Sequence, residues 1–422
     1  FPYVTGENGG GAFVLIYLAC VLLVGLPIMI AETLIGRRGR QSPINSMRSL
    51  AEDEGLSEHW RFLGWLGVVA GFIILSFYSV VAGWSVAYIF YVGGGVFDGI
   101  SADASAAQFD SLTGSPWRLL GWHTAFIVLT TTIVARGVSG GLELAVKWLM
   151  PALFILLIVV VGYAMGTGDF AGAVTYLFEP DFSEVSANSV LAALGQAFFS
   201  LSLGMGAIMI YGSYLPAGAS IPRTIGTVAI CDTLVALLAG LAIFPIVFGF
   251  GLEPGSGPGL VFITLTIAFG HMPGGQIFGA LFFVLLTVAA WTSAISLLEP
   301  VAAWLVESFG MSRRRAATVG GIGAWLLGVG SLLSFNEWAD ATLWGMNFFD
   351  LCEFLSTNIM LPLGGLLIAV FAGWRMSRTT TRDELQLPDG ALYATWRFLV
   401  RFIAPAGVLV IFLNALGVFS QP

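Results

Sequence analysis

Four acidic positions stand inside apolar runs of this sequence: Glu32 in LPIMIAETLIG, Asp232 in VAICDTLVALLAG, Glu299 in SAISLLEP, and the Asp350/Glu353 pair in NFFDLCEFL. Placing a carboxylate in hydrocarbon costs roughly 2.5–3.5 kcal/mol, so each is a candidate for function. Asp232 has apolar residues on both sides and no nearby Lys or Arg, which makes a bound cation its natural partner. Glu299 and Glu353 read more simply as carboxylates at helix ends that reach interfacial water. The stretch LGQAFFSLSLGMGAIMIYGSY puts Ser200, Ser202, Gly204 and Gly206 in the middle of an apolar run. A helix break there would expose carbonyls and hydroxyls suited to a hard cation and a substrate's polar head. Close helix packing by small residues explains the same glycines equally well. Thr292 and Ser293 offer two more hydroxyls, a type that in membrane helices commonly bonds back to its own carbonyls.

Such groups need helices to hold them in hydrocarbon, and the composition supplies those helices. Of 422 residues, 57% are hydrophobic and 10% charged, and mean hydropathy is +0.90. Soluble proteins carry about 25% charged residues. Apolar runs of about 20 residues imply a polytopic helical membrane protein, and they are too long for barrel strands of ~10 residues. The runs fall at 12–35, 63–93, 119–136, 141–166, 188–213, 223–251, 276–309, 316–335, 341–374 and 392–419. The Gly-rich loops near 96–118 and 252–275 could fold over an entrance. The sequence opens at Phe1 without an initiator Met or targeting segment, and reads as a fragment whose N-terminus has been removed.

Basic residues sort by connection. Arg37, Arg38, Arg40, Arg48 and Arg61 cluster between the first two runs. Arg136 and Lys147, Arg223, Arg313–Arg315, then Arg375, Arg378 and Arg382 occupy alternate connections thereafter. The intervening connections hold only Arg118 of the 17 basic residues, and carry Asp98, Asp103, Asp169, Glu179, Asp181, Glu184 and Glu253 instead. The positive-inside rule makes the first set cytoplasmic and the C-terminus external, in an inner (plasma) membrane. A net charge of −8 gives nucleic acid no basic face. Cys20, Cys231 and Cys352 read as small buried hydrophobes, and His59, His123 and His271 as packing residues near run ends. H-E-x-x-H and phosphate-loop motifs are absent, so enzyme chemistry is not expected.

The opening FPYVTGENGGGAFVLIY, with GLPIMIAETLIGRRGR, GQAFFSLSLGMGAIMIYGSYL and WTSAISLLEP in order, resembles the neurotransmitter:sodium symporter family from Phe1 to about Phe419. The resemblance implies a leucine-transporter-like fold. In it two inverted five-helix repeats, with first and sixth helices unwound, are followed by an eleventh helix. One transporter domain would span 1–422, with repeats at 1–166 and 188–374 and the eleventh helix at 392–419. Phe1–Val4 would be the outer part of the first helix. Its inner half, which gives the family sodium-binding carbonyls, an asparagine ligand, gate arginines and part of the substrate cradle, would be missing. Both sodium sites would then be incomplete, and this fragment is not expected to transport.

Carried across by position, Ser200 and Asp232 would serve one sodium site, and Ala289 (carbonyl), Thr292 and Ser293 a second; oxygen ligands suit hard cations. Ile74, Tyr78, Phe199, Ser200, Ser202, Met205, Ser293 and Leu297 would line the substrate site, with Tyr78 bonding a carboxylate and forming a lid with Phe199. Asp350, or Glu353 one turn on, would face an outer arginine. Tyr214 and Glu307 would form the inner gate, and Glu32 would brace the unwound centre of the first helix. Tyr17 and Gln196 match chloride-site positions. Ala236 stands where chloride-dependent members have serine, so the Asp232 carboxylate would replace the anion.

The expected function is sodium-coupled import of a small amino acid, hydrophobic or aromatic, by alternating access. Its partners would be that substrate, about two Na+ ions and membrane lipid, with no nucleic acid. The alternatives are transport of another small amine or osmolyte, a non-transporting receptor of the same fold, and an ion channel.

Overall fold

The computed structural model describes residues 1–251 and 259–418. Glu253, part of the 252–275 loop and the last residues of the expected 392–419 run, Phe419 among them, lie outside the described residues. Hydrocarbon offers no partner for a bare backbone amide, so a chain this apolar must satisfy its peptide groups within helices. Among the described residues the only departure toward β structure is an isolated Leu343–Met346 bridge.

In chain order the helices are α1 (Pro2–Glu7), α2 (Gly10–Gly39), α3 (Pro43–Asp53), α4 (Glu58–Gly93), α5 (Ala102–Thr113), α6 (Pro116–Ala135), α7 (Val138–Thr167) and α8 (Phe170–Phe178). Then follow α9 (Ala187–Ser200), α10 (Ala207–Tyr214), α11 (Ile221–Gly249), α12 (Leu260–His271), α13 (Gly275–Phe309), α14 (Arg313–Leu333), α15 (Phe348–Arg375), α16 (Arg378–Leu385) and α17 (Ala391–Ala415). Among the described residues nine of these (α2, α4, α6, α7, α11, α13, α14, α15 and α17) are long and apolar enough to cross a membrane. The expected single run 188–213 is instead the broken pair α9/α10, with Leu201–Gly206 out of helix.

The longest helices, α4 with 36 residues and α13 with 35, pack along one another at the centre. At 1.5 Å per residue each exceeds 50 Å, against a hydrocarbon thickness of about 30 Å, so both project beyond the bilayer or tilt within it. Around them Ile74, Met205, Ala294, Leu297 and Leu298 form one buried apolar cluster that supports the site described below.

The structure adds detail to two readings and changes a third. The two glycine-rich loops contain helices α5 and α12, which pack on each other. The Ser105 and Thr266 hydroxyls lie 2.9 Å apart, and Gly99 N–H donates to the Gly270 carbonyl at 2.9 Å. His123 is fully buried and joins three helices, with Nδ1 3.1 Å from Ser79 Oγ on α4 and Nε2 3.2 Å from the Trp325 carbonyl on α14. Of the three free cysteines only Cys352 is buried; Cys20 and Cys231 are half-buried.

Candidate functional site

The break between α9 and α10 is written in backbone angles. Ser202, Gly204 and Gly206 take φ of 55°, 77° and 74°, a region that costs L-residues roughly 1–2 kcal/mol but glycine almost nothing. A Cβ on Gly204 would stand 2.6 Å from the Leu361 carbonyl oxygen of α15. The same glycine therefore breaks its helix and lets a neighbouring backbone close in, so both readings of the glycine pair hold. Glu32, fully buried on α2, accepts the Gly204 N–H at 3.1 Å through Oε2, while Oε1 has no hydrogen-bond partner among the described residues. The structure thus sets Glu32 against the α9/α10 break. The carbonyl end of α9 and the amide end of α10 meet there, leaving partial charges of both signs at one point.

Beside the break lies a cavity of 160 Å³ lined by Ile74, Tyr78, Phe199, Ser200, Ser202, Met205, Ser293, Ser296 and Leu297. All eight residues expected to line a substrate site meet here, from α4, the break region and α13. Ile74, Met205 and Leu297 are buried, whereas Phe199, 43% exposed, and Ser293 are the exposed members of the wall. Ser296 was not anticipated, although it stands one turn after Thr292 and Ser293 on the same face of α13. Its hydroxyl lies 2.8 Å from that of Tyr211 and donates to the Thr292 carbonyl at 3.0 Å.

Two groups of oxygens flank the cavity. In one, the Tyr17 hydroxyl lies 3.0 Å from Ser200 Oγ and donates to Asp232 Oδ2 at 3.5 Å. These atoms come from α2, α9 and α11, and Ser200 also lines the cavity. Ala236, one turn after Asp232, adds no polar atom to this group. In the other, Thr292 Oγ1 and Ser293 Oγ donate to the Ala289 carbonyl at 2.8 and 3.4 Å. That is the back-bonding pattern expected of membrane hydroxyls, and it gathers three oxygens on one turn of α13. Gln196 lies on α9 one turn before Ser200.

Each residue assigned to a gate has definite partners. Tyr214 donates to Glu299 Oε1 at 2.5 Å, and Arg313 forms an ion pair with the other oxygen of Glu299. Glu299 is fully buried, which overturns its reading as a carboxylate reaching interfacial water. The chain turns back after α13 and returns Arg313 to it, a pairing across 14 residues that sorting charges by connection could not show. Glu307 accepts Ser42 N–H at 2.8 Å, Ser42 Oγ–H at 2.6 Å and Asn45 Nδ2 at 2.8 Å. Its carboxylate so caps the start of α3, where a helix favours negative charge. Asp350 forms a capping box with Asn347, accepting its N–H at 3.3 Å while Asn347 Oδ1 accepts the Asp350 N–H at 2.9 Å. Glu353 lies one turn on, exposed. Arg37, grouped with the cytoplasmic basic cluster by sequence, is buried and pairs with Glu384 of α16 at 2.5 Å.

Comparison with known proteins places this arrangement. The model of the sodium:neurotransmitter symporter family matches residues 1–93 and 103–422. An uncharacterized sodium-dependent transporter of Bacillus subtilis, YhdH, is 37% identical over 423 residues, covering 100% of this chain and 93% of the relative. One from Haemophilus influenzae is 35% identical, covering 99% and 93%. The crystal structure of MhsT in complex with L-phenylalanine superposes with a TM-score of 0.89 at 42% identity, over 98% of this chain and 93% of that one. The fold is therefore the leucine-transporter-like fold that the sequence resemblance implied. The chain belongs to the sodium:neurotransmitter symporter family and is a multi-pass, sodium-dependent symporter, not an enzyme.

Proposed function

We propose that this symporter imports a small hydrophobic or aromatic amino acid, and that the 160 Å³ cavity is its binding site. The observation that carries the reading is the division of the cavity wall. Ile74, Phe199, Met205 and Leu297 are apolar, while Tyr78 and four serines supply hydroxyls for an amino acid's charged end. An apolar cavity of about 150 Å³ holds a benzene molecule, so this volume is on the scale of a small organic ligand. MhsT, 42% identical, was crystallised with L-phenylalanine, which supports the same class.

Two sodium ions would bind, one at Ser200 and Asp232, the other at the Ala289 carbonyl with Thr292 and Ser293. Ser200 would belong to both an ion site and the substrate wall. Each ligand then raises the other's affinity by one common factor, which is the requirement for coupling. Each inward sodium gains about 2.3 kcal/mol per 100 mV of membrane potential. The Asp232 carboxylate would serve in place of chloride, given Ala236 one turn on. Residues 1–166 and 188–374 would be the two repeats that rock against each other, with 392–419 outside them. Alternate connections rich in arginine favour an inner-membrane orientation with those connections cytoplasmic and the C-terminus external. Asp350 would belong to an outer gate, and Tyr214 and Glu307 to the inner one.

Binding of labelled phenylalanine or leucine to the purified protein, with sodium replaced by potassium as control, tests this. Sodium-dependent binding displaced by other hydrophobic amino acids is expected. Displacement only by a non-amino-acid amine or osmolyte would move the substrate class.

A further inference from the structure

A groove of 730 Å³ runs along the outer surface between α6 and α14, and it shares no lining residue with the central cavity. Its floor is apolar, with Ile127, Val128, Ile322 and Trp325 among its residues, and one end is closed by Arg136 and Arg314. Val128 and Ile322 are 55% and 53% exposed, so this wall faces outward from two helices long and apolar enough to cross a membrane.

The charge at the closed end is unbalanced. Arg136 follows the last residue of α6, and α14 opens on Arg313, Arg314 and Arg315 without an acid in its first turn. Arg313 donates through Nε to the Val134 carbonyl at 2.9 Å, which holds the two helix ends at one level. Arg313 is neutralised by Glu299, whereas neither Arg136 nor Arg314 has an acidic partner among the described residues. The start of a helix already carries partial positive charge, to which Arg314 adds a full one that is not ion-paired among the described residues. The Thr131 hydroxyl, on the groove wall, is also without a hydrogen-bond partner.

The dimensions fit one leaflet. From Thr124 to Arg136 the groove follows α6 for about 18 Å at 1.5 Å per residue, against half a hydrocarbon thickness of about 15 Å. An acyl chain laid along Ile127 and Val128 would bring its headgroup phosphate to the two guanidiniums. Basic pockets between membrane helices are where anionic headgroups bind. We propose that this groove is a binding site for an anionic phospholipid, with Arg136 and Arg314 on the phosphate and the α6/α14 surface on one acyl chain.

The test uses the protein reconstituted in phosphatidylcholine vesicles doped with a photoreactive lipid, either phosphatidylglycerol or phosphatidylcholine carrying a diazirine on its acyl chain. Adducts are mapped by peptide mass spectrometry. Labelling of 124–136 and 314–325 is expected to favour the phosphatidylglycerol probe. The double substitution Arg136→Gln with Arg314→Gln should cut that preference about 30-fold, since each arginine contributes about 1 kcal/mol towards an anionic lipid. Equal labelling by both probes in the unaltered protein overturns the proposal whatever the variant does. So does a preference that survives the double substitution, or protection of the groove by crosslinks between two copies of the chain. Arg378→Gln, at an exposed arginine paired with Asp389 away from the groove, should leave the preference intact.

Discussion

The Tyr17 hydroxyl lies 3.0 Å from the Ser200 hydroxyl, and the same tyrosine reaches Asp232 at 3.5 Å. Because Ser200 also lines the 160 Å³ cavity, this contact joins a half-buried acid to the wall of the proposed substrate site. A sodium ion held at Asp232 and Ser200 would fix the Ser200 side chain, and a substrate on Ser200 would complete the ion's surroundings.

Asp232→Ala removes the charged member of that group, and hydrogen bonds to charged groups contribute about 1.5–3 kcal/mol. The half-saturating sodium concentration for substrate binding should rise about tenfold or more. Asp232→Asn, which keeps an oxygen and loses the charge, should fall between. Sodium titration of labelled-substrate binding checks both.

Replacing chloride by gluconate should leave uptake unchanged, because the carboxylate of Asp232 supplies the negative charge where Ala236 supplies none. Loss of uptake in gluconate would contradict this.

Gly204→Ala should destabilise the protein by about 1–3 kcal/mol, since its φ of 77° is strained for alanine and the new methyl meets the Leu361 carbonyl at 2.6 Å. Thermal melting in detergent reads this directly. Gly55→Ala shares the positive φ with open space around it, and separates backbone strain from the clash.

Removing one partner of a buried ion pair typically costs about 3–5 kcal/mol, because the other charge is left stranded. Arg313→Gln should therefore destabilise more than the double change with Glu299→Gln, in which no buried charge remains. A double-mutant cycle on melting gives the coupling, and additivity of the two single changes would argue against the pair.

Much of this was legible in residue types and order. Hydropathy gave the crossings, and Ser200, Ser202, Gly204 and Gly206 marked the α9/α10 break through glycine's backbone preference. The eight cavity residues came from motif resemblance, and the fold brings all of them to one wall. Long-range pairing was harder to read. Glu299 looked interfacial because its partner Arg313 sits in a basic run assigned to a cytoplasmic connection, and the burial of Arg37 was hidden because Glu384 lies far along the chain. His123 read as a packing residue, and nothing local announces its bonds to Ser79 and the Trp325 carbonyl. Ser296 was hidden among other hydroxyls whose back-bonding conceals which of them face a cavity.

The most direct test is uptake by the full-length protein in sealed proteoliposomes, with labelled hydrophobic and aromatic amino acids and an inward sodium gradient against a potassium control. Accumulation above the external concentration, driven by sodium and abolished by Asp232→Ala, is the predicted result. Sodium-dependent binding without accumulation, or accumulation indifferent to sodium, would contradict coupled import.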